Sequence, residues 1–370
     1  LCIQGENFQA LNLLQEQYRK NVQSVYIDPP YNTGNDGFLY KDSYRHSSWM
    51  SMMEDRFIVS RKLLKDSGLI FTQIDDNEAG QLRNLKEGVY GKGNFLACIC
   101  WKKSYSPQMD SSGFSTAHDY IFAFGKTDHS LPYHVPFEQD ISQFSHKDPD
   151  TGRRYRLRSL RKEGSNSLRS DAPQSWFPIT APDGTNVWPY KPDGTEGCWR
   201  WSRDTYSEGL EKGLIEWIDT DDHGWQPYVK QFRNPNAEKP PETVWSYDEV
   251  GHNHEAASEI SDLLGPRVFG TPKPLRLMRR VIEISTATNA GEIVLDYFAG
   301  SGTTGHAVME MNRDDEVDGD DRQYVLIEMG DYFDTVLMPR LKKVAFSSEW
   351  KDGVPQGSDG MSHVIQYHRL

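Results

Sequence analysis

The sequence predicts an α/β fold: a largely parallel sheet with helices on both faces, interrupted by an irregular β-rich insert. Three observations carry that prediction. Strand-like and helix-like segments alternate through the first third of the chain, the alternation resumes after Gly270, and from about Leu131 to Gly270 the texture is different. Parallel strands need long crossovers, so alternation of this kind argues for βαβ units.

Each element follows from its pattern. "LCIQG" reads as a short strand, and "ENFQALNLLQEQYRK" as a helix with Phe8, Leu11 and Leu14 at helical spacing. Val25, Tyr26 and Ile27 are strand formers in an unbroken run, the mark of a strand covered on both faces. "SSWMSMMEDRFIVSRKLLKDSG" is a long amphipathic helix expected to stop at Gly68, and "LIFTQID" a buried strand ending on Asp75. "DNEAGQLRNLKEGV" is a helix with Asp76 or Asn77 as its cap. "NFLACICW" and "HDYIFAFGK" are strands, Cys98 and Cys100 sharing a face that reads as core.

In the insert, proline, glycine and polar residues dominate, and seven of the ten tryptophans fall between Trp176 and Trp245. They read as a small aromatic core rather than a row of base-stacking platforms. Beyond it, "TPKPLRLMRRVIEIST" is a helix with proline in its first turn. "EIVLDYFAGSGTTGHAVMEM" is strand, glycine loop and helix, and "RQYVLIEMGDYFDTVLMPRLKKVAF" strand and helix. The chain opens on Leu1 and closes on the strand-like "SHVIQYHRL", so both ends are expected to be cuts through a longer protein.

Composition narrows the class. The chain has 370 residues, no apolar run of membrane-spanning length and no secretory signal, and its cysteine usage makes the cytoplasm the default. Cys2, Cys98, Cys100 and Cys198 form no C-x-x-C pair, so neither a disulfide nor a zinc site is expected. His252 and His254 in "GHNHE" read as a solvated loop; no metal site is expected.

The net charge of −13 argues on its face against a nucleic-acid partner. Its distribution argues otherwise. Six acids lie in "DDEVDGDD", Asp314 to Asp321, a solvated loop, while "TGRRYRLRSLRK" holds six basic residues in twelve. Arg153, Arg154, Arg156, Arg158, Arg161 and Lys162 either follow a phosphate backbone or form an exposed basic loop or hairpin.

Two short stretches carry the chemistry. In "SVYIDPPYNTG" a buried strand ends on Asp28, and two prolines then remove amide donors and fix φ. Asp28 and the Pro29 carbonyl are left as outward acceptors beside the flat ring of Tyr31, a corner suited to something planar that donates hydrogen bonds. In "VLDYFAGSGTTG" the strand ends on Asp296, and Gly300, Gly302 and Thr303 open a helix. The bare pattern G-x-G-x-x-G fits a dinucleotide, and no G-K-[ST] follows to make a P-loop. Asp296 and Phe298 suit a methionyl ammonium and an adenosine better than a pyrophosphate. Glu328, ending the next strand, is placed either to accept from ribose hydroxyls or simply to face water.

Together, "DPPYNTG" and the later "DYFAGSGTTG" resemble the β-class amino-methyltransferases of DNA, whose catalytic motif precedes the S-adenosylmethionine loop. "IFTQIDDNE", "STAHDYIFAFGK", "GTPKPLRLMRRVIE" and "YFDTVLMPRLKKV" resemble the modification subunit of type III restriction–modification systems.

The resemblance implies a circularly permuted Rossmann-like S-adenosylmethionine-dependent methyltransferase sheet. Residues 1–129 would be its catalytic half, 130–270 an inserted target-recognition domain, 271–346 its S-adenosylmethionine-binding half and 347–370 a tail. It implies Asp28, Pro29, Pro30 and Tyr31 as catalytic residues, acting on the N6 amine of an adenine flipped from the duplex. It adds Glu6, at the end of the sheet's third strand, reaching the cofactor's adenine, and Lys273, in the helix leading to the loop, at the methionyl carboxylate. Asp75 and Asp76 are pocket-edge candidates. Gly34 and Gly37 would make a lip over the base, with Phe38 and Tyr40 within it.

Double-stranded DNA, a second copy of the chain and a restriction (nuclease/helicase) subunit are the partners implied, in a prokaryotic cytoplasm and with no membrane. Cytosine N4 methylation, a catalytically silent DNA-binding relative and a nicotinamide-dependent dehydrogenase are the alternatives. A carbon-5 cytosine route is disfavoured, because the chain contains no Pro–Cys pair.

Overall fold

Val22–Ile27 is buried at every position, as a strand with layers on both sides must be. Around it the computed structural model, which describes residues 1–33, 46–107, 113–221, 224–288, 290–315 and 321–370, forms two units: Leu1–Val135 with Pro240–Leu370, and Pro136–Lys239.

In chain order the first unit comprises β1 (Cys2–Gln4), α1 (Asn7–Tyr18), β2 (Val22–Ile27), α2 (His46–Leu63), β3 (Leu64–Ile74), α3 (Ala79–Tyr90), β4 (Phe95–Lys102) and β5 (His118–Gly125). After the other unit come β6 (Val244–Trp245), α4 (Asn253–Leu264), α5 (Leu275–Glu283), β7 (Ile293–Asp296), α6 (Thr303–Asp314), β8 (Gln323–Glu328), α7 (Met338–Phe346) and β9 (Tyr367–Arg369).

Nine strands form one sheet in the order β6-β4-β5-β3-β2-β7-β8-β1-β9. β5 runs antiparallel to β3 and β4, and every other pairing is parallel. The sheet is therefore mixed rather than purely parallel.

Period-two alternation distributes the strand residues between two cores. Val25 and Ile27 pack with Leu11, Phe57 and Leu82 of α1, α2 and α3. Tyr26 packs in the other core, with Leu263, Leu277, Val308 and Leu341 of α4 to α7. From β2 the chain order runs outward through β3 in one direction and through β7 and β8 in the other. The boundary between β2 and β7 is thus a switch point, where carboxyl ends of strands diverge to leave a crevice.

Several sequence expectations are corrected. α2 ends at Leu63, not Gly68, and Gly68 lies within β3. There a Cβ would stand 2.9 Å from a Leu64 methyl and 3.2 Å from the Gln23 carbonyl, so the glycine serves a close approach. Neither Asp76 nor Asn77 caps α3: the N-cap is Glu78, and Asp75 spends its carboxylate on the Asn77 amide. Cys98 is exposed and Cys100 half-buried, because alternation puts Ile99 and Trp101 on the covered face. His252 is no free loop residue; its Nδ1 accepts from the Glu255 amide and caps α4. Asp314, placed in the acidic loop, ends α6 and pairs with Arg279. The 347–370 tail supplies β9 at the sheet edge.

The second unit is narrower than the expected 130–270 insert, since 240–270 carry β6 and α4 of the first unit. It is built on a four-stranded antiparallel sheet ordered Ile215–Thr220, Gly224–Phe232, Arg154–Ser159 and His146–Lys147. Trp199 lies in its core with Leu160, Phe177, Ile179 and Val229, and Trp201 and Trp217 pack against them. Trp176 and Trp188 pair with each other outside that cluster, and Trp245 belongs to the first unit. Among the described residues no helix is long and apolar enough to cross a membrane.

Candidate active site at the switch point

β2 and β7 are hydrogen-bonded neighbours, with Leu295 opposite Val25. Both strands end on an acid at the same edge of the sheet, which brings Asp28 and Asp296 together although 267 positions separate them in the chain. Both line one cavity of about 330 Å³ within the first unit. Pro29, Pro30, Tyr31, Lys273, Phe298, Gly300, Thr303 and Glu328, all singled out from the sequence, line it too.

The corner at Asp28 is held from below. The fully buried Trp49 of α2 donates its indole N–H to the Pro30 carbonyl at 2.8 Å, fixing the turn that the prolines begin. Tyr31 donates from its hydroxyl to Asp28 Oδ1 at 2.8 Å, and Lys273 Nζ donates to Asp28 Oδ2. Lys273 stands just ahead of α5, not in it, and its partner in this structure is Asp28. Burial and the two nearby acids, Asp28 and Asp119, push the Tyr31 phenol well above its ordinary value, so it stays a neutral donor.

The glycine loop is tied by the other acid. Asp296 accepts from the Phe298 amide at 3.0 Å and from the Thr304 hydroxyl at 2.6 Å. Burial raises its pKa from 3.8 to about 7. Gly302 begins α6 with φ +80, a left-handed conformation that disfavours any side chain. At Gly305 a Cβ would stand 2.8 Å from Leu326 and 2.9 Å from Leu341, so helix and strand approach more closely than alanine would allow. The buried Arg340 of α7 donates to the Thr303 and Ser301 hydroxyls at 2.8 and 3.1 Å.

Glu328 accepts from the Gly300, Met329 and Gly330 amides at 2.8–2.9 Å, bridging β8 to the loop. Burial raises its pKa as well. It lines the cavity, but its oxygens already organise backbone.

The remaining expectations have different outcomes. Glu6 does not line the cavity: it is the N-cap of α1, accepting from the Gln9 amide at 3.0 Å and pairing with Arg56. Two residues past β1, its chain has already turned into the helix. Asp75 lines the cavity and Asp76 does not. Gly34, Gly37, Phe38 and Tyr40 lie outside the described residues.

In the second unit Arg154–Ser159 is a strand paired antiparallel with His146–Lys147, as a basic hairpin would be. Arg156 donates to Gln231 and Gln143, Arg161 to the Tyr190 carbonyl, and Arg153 lies 4.6 Å from the Phe232 ring centre. Arg153, Arg154 and Arg158 remain exposed.

Sequence reasoning missed a second wall of the cavity. Asp119, at the start of β5, is buried and accepts from Lys103 at 2.6 Å, Gln73 at 3.0 Å and Tyr31 at 3.2 Å. An acid inside the apolar run "HDYIFAF" was the signal available.

A family model described as DNA methylase, of the N6/N4 type, matches residues 22–337. The Mod subunit of the type III restriction–modification enzyme StyLTI of Salmonella typhimurium is 32% identical over 355 residues, covering 88% of this chain and 52% of that subunit. The type II methyltransferase M.KpnI of Klebsiella pneumoniae is 30% identical, covering 88% of this chain and 79% of that protein. The chain thus spans about half the length of its StyLTI relative. Among solved structures, the cytosine-N4-specific PvuII DNA methyltransferase aligns over 92% of this chain and 85% of its own at 13% identity and a TM-score of 0.48. A complex of M1.HpyAVI with S-adenosylmethionine covers 93% of this chain and 99% of its own at 15% identity and a TM-score of 0.42.

Proposed function

The chain belongs to the N6/N4 DNA methylase family, a family of S-adenosylmethionine-dependent methyltransferases, and from that premise we propose that it methylates the exocyclic N6 of an adenine flipped out of double-stranded DNA. One observation carries the reading: the Asp28 corner and the glycine loop line a single cavity.

The residues present fit the cofactor. The loop is a backbone cradle at a helix N-terminus, turned by Gly302 with its positive φ, which does not itself line the cavity, and anchored through Asp296. Gly300, Thr303 and Phe298 would hold S-adenosylmethionine there, with Lys273 and the buried Glu328 also lining the cavity. When bound, it supplies an electrophilic methyl group.

The protein's own part is to prepare the amine. An aromatic amine is a poor nucleophile because its lone pair is delocalised into the ring. Acceptors at Asp28 and the Pro29 carbonyl hold both amine hydrogens and draw the nitrogen toward tetrahedral geometry, which localises that pair. Tyr31 stacks on the base, a contact worth about 1–3 kcal/mol. Positioning and electrostatics then carry the transfer, with no covalent enzyme intermediate.

The exposed Arg153, Arg154 and Arg158 are the phosphate contacts of the second unit in this reading, while Arg156 and Arg161 are spent on hydrogen bonds within that unit and Lys162 is half-buried. That unit reads the target sequence, and the protein works in a restriction–modification or phage-defence setting. A second copy and a restriction (nuclease/helicase) subunit are its partners.

Labelled methyl groups from S-adenosylmethionine, followed into DNA and then into digested nucleosides, test the assignment. N6-methyladenine is the expected product. N4-methylcytosine would move the same chemistry to the other amine, and label absent from DNA would overturn the reading.

A further inference from the structure

The Tyr31 hydroxyl carries one proton and faces two carboxylates. Asp28 Oδ1 lies 2.8 Å away and Asp119 Oδ2 3.2 Å away. A phenol proton rotates about its C–O bond and can serve only one acceptor well at a time. The two choices are not equivalent for a methyltransferase.

With the hydroxyl pointed at Asp28, that carboxylate receives Tyr31 on one oxygen and Lys273 on the other. Charge is then drawn from the oxygens that must hold the substrate amine. With the hydroxyl pointed at Asp119, Oδ1 of Asp28 returns to full acceptor strength.

Asp119 is built to accept that hydrogen bond. It is 2% exposed and anchored by Lys103 on Oδ1, with Gln73 on Oδ2. Gln73 is in turn fixed by the buried Tyr26 hydroxyl at 2.6 Å. The chain of contacts from Tyr26 through Gln73 and Asp119 to Tyr31 keeps the second acceptor in place whether or not a base is present.

We propose that Asp119 is a positioning residue that takes over the hydrogen bond from the Tyr31 hydroxyl, which keeps its proton, when the target base enters, releasing Asp28 to grip the amine. The device rests on the function proposed above.

Asp119→Asn tests it with little change of shape. The amide oxygen would keep Lys103 and the amide nitrogen would face Tyr31 and Gln73. A flip of the Gln73 amide satisfies the new donor and turns the Gln73 NH2 toward Tyr26, whose hydroxyl then accepts where it had donated, while Tyr31 loses its alternative acceptor. The expected result is a kcat lowered roughly tenfold, S-adenosylmethionine affinity within about twofold of native by calorimetry, and a nearly unchanged melting temperature.

A double-mutant cycle with Tyr31→Phe then separates positioning from bulk structure. If Asp119 acts through the hydroxyl, Asp119→Asn changes kcat by less than about twofold once the hydroxyl is gone. Asp119→Glu, which keeps an acceptor, serves as the conservative rescue and should recover most of the lost turnover.

The same tenfold loss in both backgrounds would overturn the proposal, as would a native kcat in Asp119→Asn alone. Those outcomes leave the methylation reading standing, provided native protein methylates DNA. Native protein that labels no DNA would overturn that reading, and this one with it.

Discussion

"YIDPPY" and "VLDYFAG" are nearly the same device in the sequence: a buried strand, a terminal acid, an aromatic soon after. Their fates differ. Asp28 keeps its side chain 22% exposed at the cavity, where a cation and a phenol meet it. Asp296 is 3% exposed and spends its oxygens on the Phe298 amide and the Thr304 hydroxyl. The residues that follow account for the difference. Prolines after Asp28 offer no amide to satisfy it, so it must look outward. Phe298, two residues after Asp296, has an amide that turns back onto the carboxylate, so that acid builds a loop. One is available for chemistry and the other for shape.

Asp28→Ala should break the first side of this contrast most severely. Loss of an aligned acceptor lowers turnover by about a hundred- to a thousandfold. S-adenosylmethionine affinity should stay within about threefold, read by calorimetry beside methyl incorporation. Comparable activity in this variant would remove Asp28 from the mechanism.

Asp296→Ala should do the reverse, striking the fold and the cofactor before the chemistry. Two buried donors lose their acceptor, at a cost of about 2–3 kcal/mol in unfolding free energy. Cofactor affinity should fall by tens of fold, because the loop is no longer tied. Asp296→Asn keeps an acceptor and should lose markedly less on both measures.

The elevated pKa of Asp296 sharpens this further through the pH dependence of unliganded stability. The folded protein holds this proton up to about pH 7, whereas the unfolded chain releases it near 3.8. Between those values the unfolded state is favoured by ionisation that the folded state resists. The group's contribution therefore declines as pH rises through that window and is level above it. Asp296→Asn lacks the decline, so its melting temperature should gain on native protein between pH 4 and 7. A constant difference would mean that Asp296 ionises normally.

The smallest effect concerns Glu6, which lies outside the contrast. Glu6→Ala should cost about 1–2 kcal/mol of stability through loss of the α1 cap. Cofactor affinity should stay within about twofold. A tenfold weaker affinity would return Glu6 to the cofactor site.

Much of the site was legible because its chemistry is written in contiguous residues. Prolines fix the direction of Asp28, and glycines announce the turn at Gly300 and Gly302. Asp119 was not legible, because its partners Tyr31, Gln73 and Lys103 come from three other segments. The pairing of Lys273 with Asp28 was not legible either, because nothing in "TPKP" says that an acid waits across the crevice. Cys98 and Cys100 were read as core because alternation assigns them a common face without saying which face is covered.

By itself the sequence determined the strand and helix alternation, the two motifs and the acid that ends each strand. Those depend on local sterics: β-propensity, proline's missing donor and glycine's access to positive φ. Only the tertiary structure decided that β2 and β7 are neighbours, that β5 runs against the sheet and that Asp119 stands behind Tyr31. Strand order is set by which apolar faces can be buried together across hundreds of residues, a global packing condition that no short stretch contains.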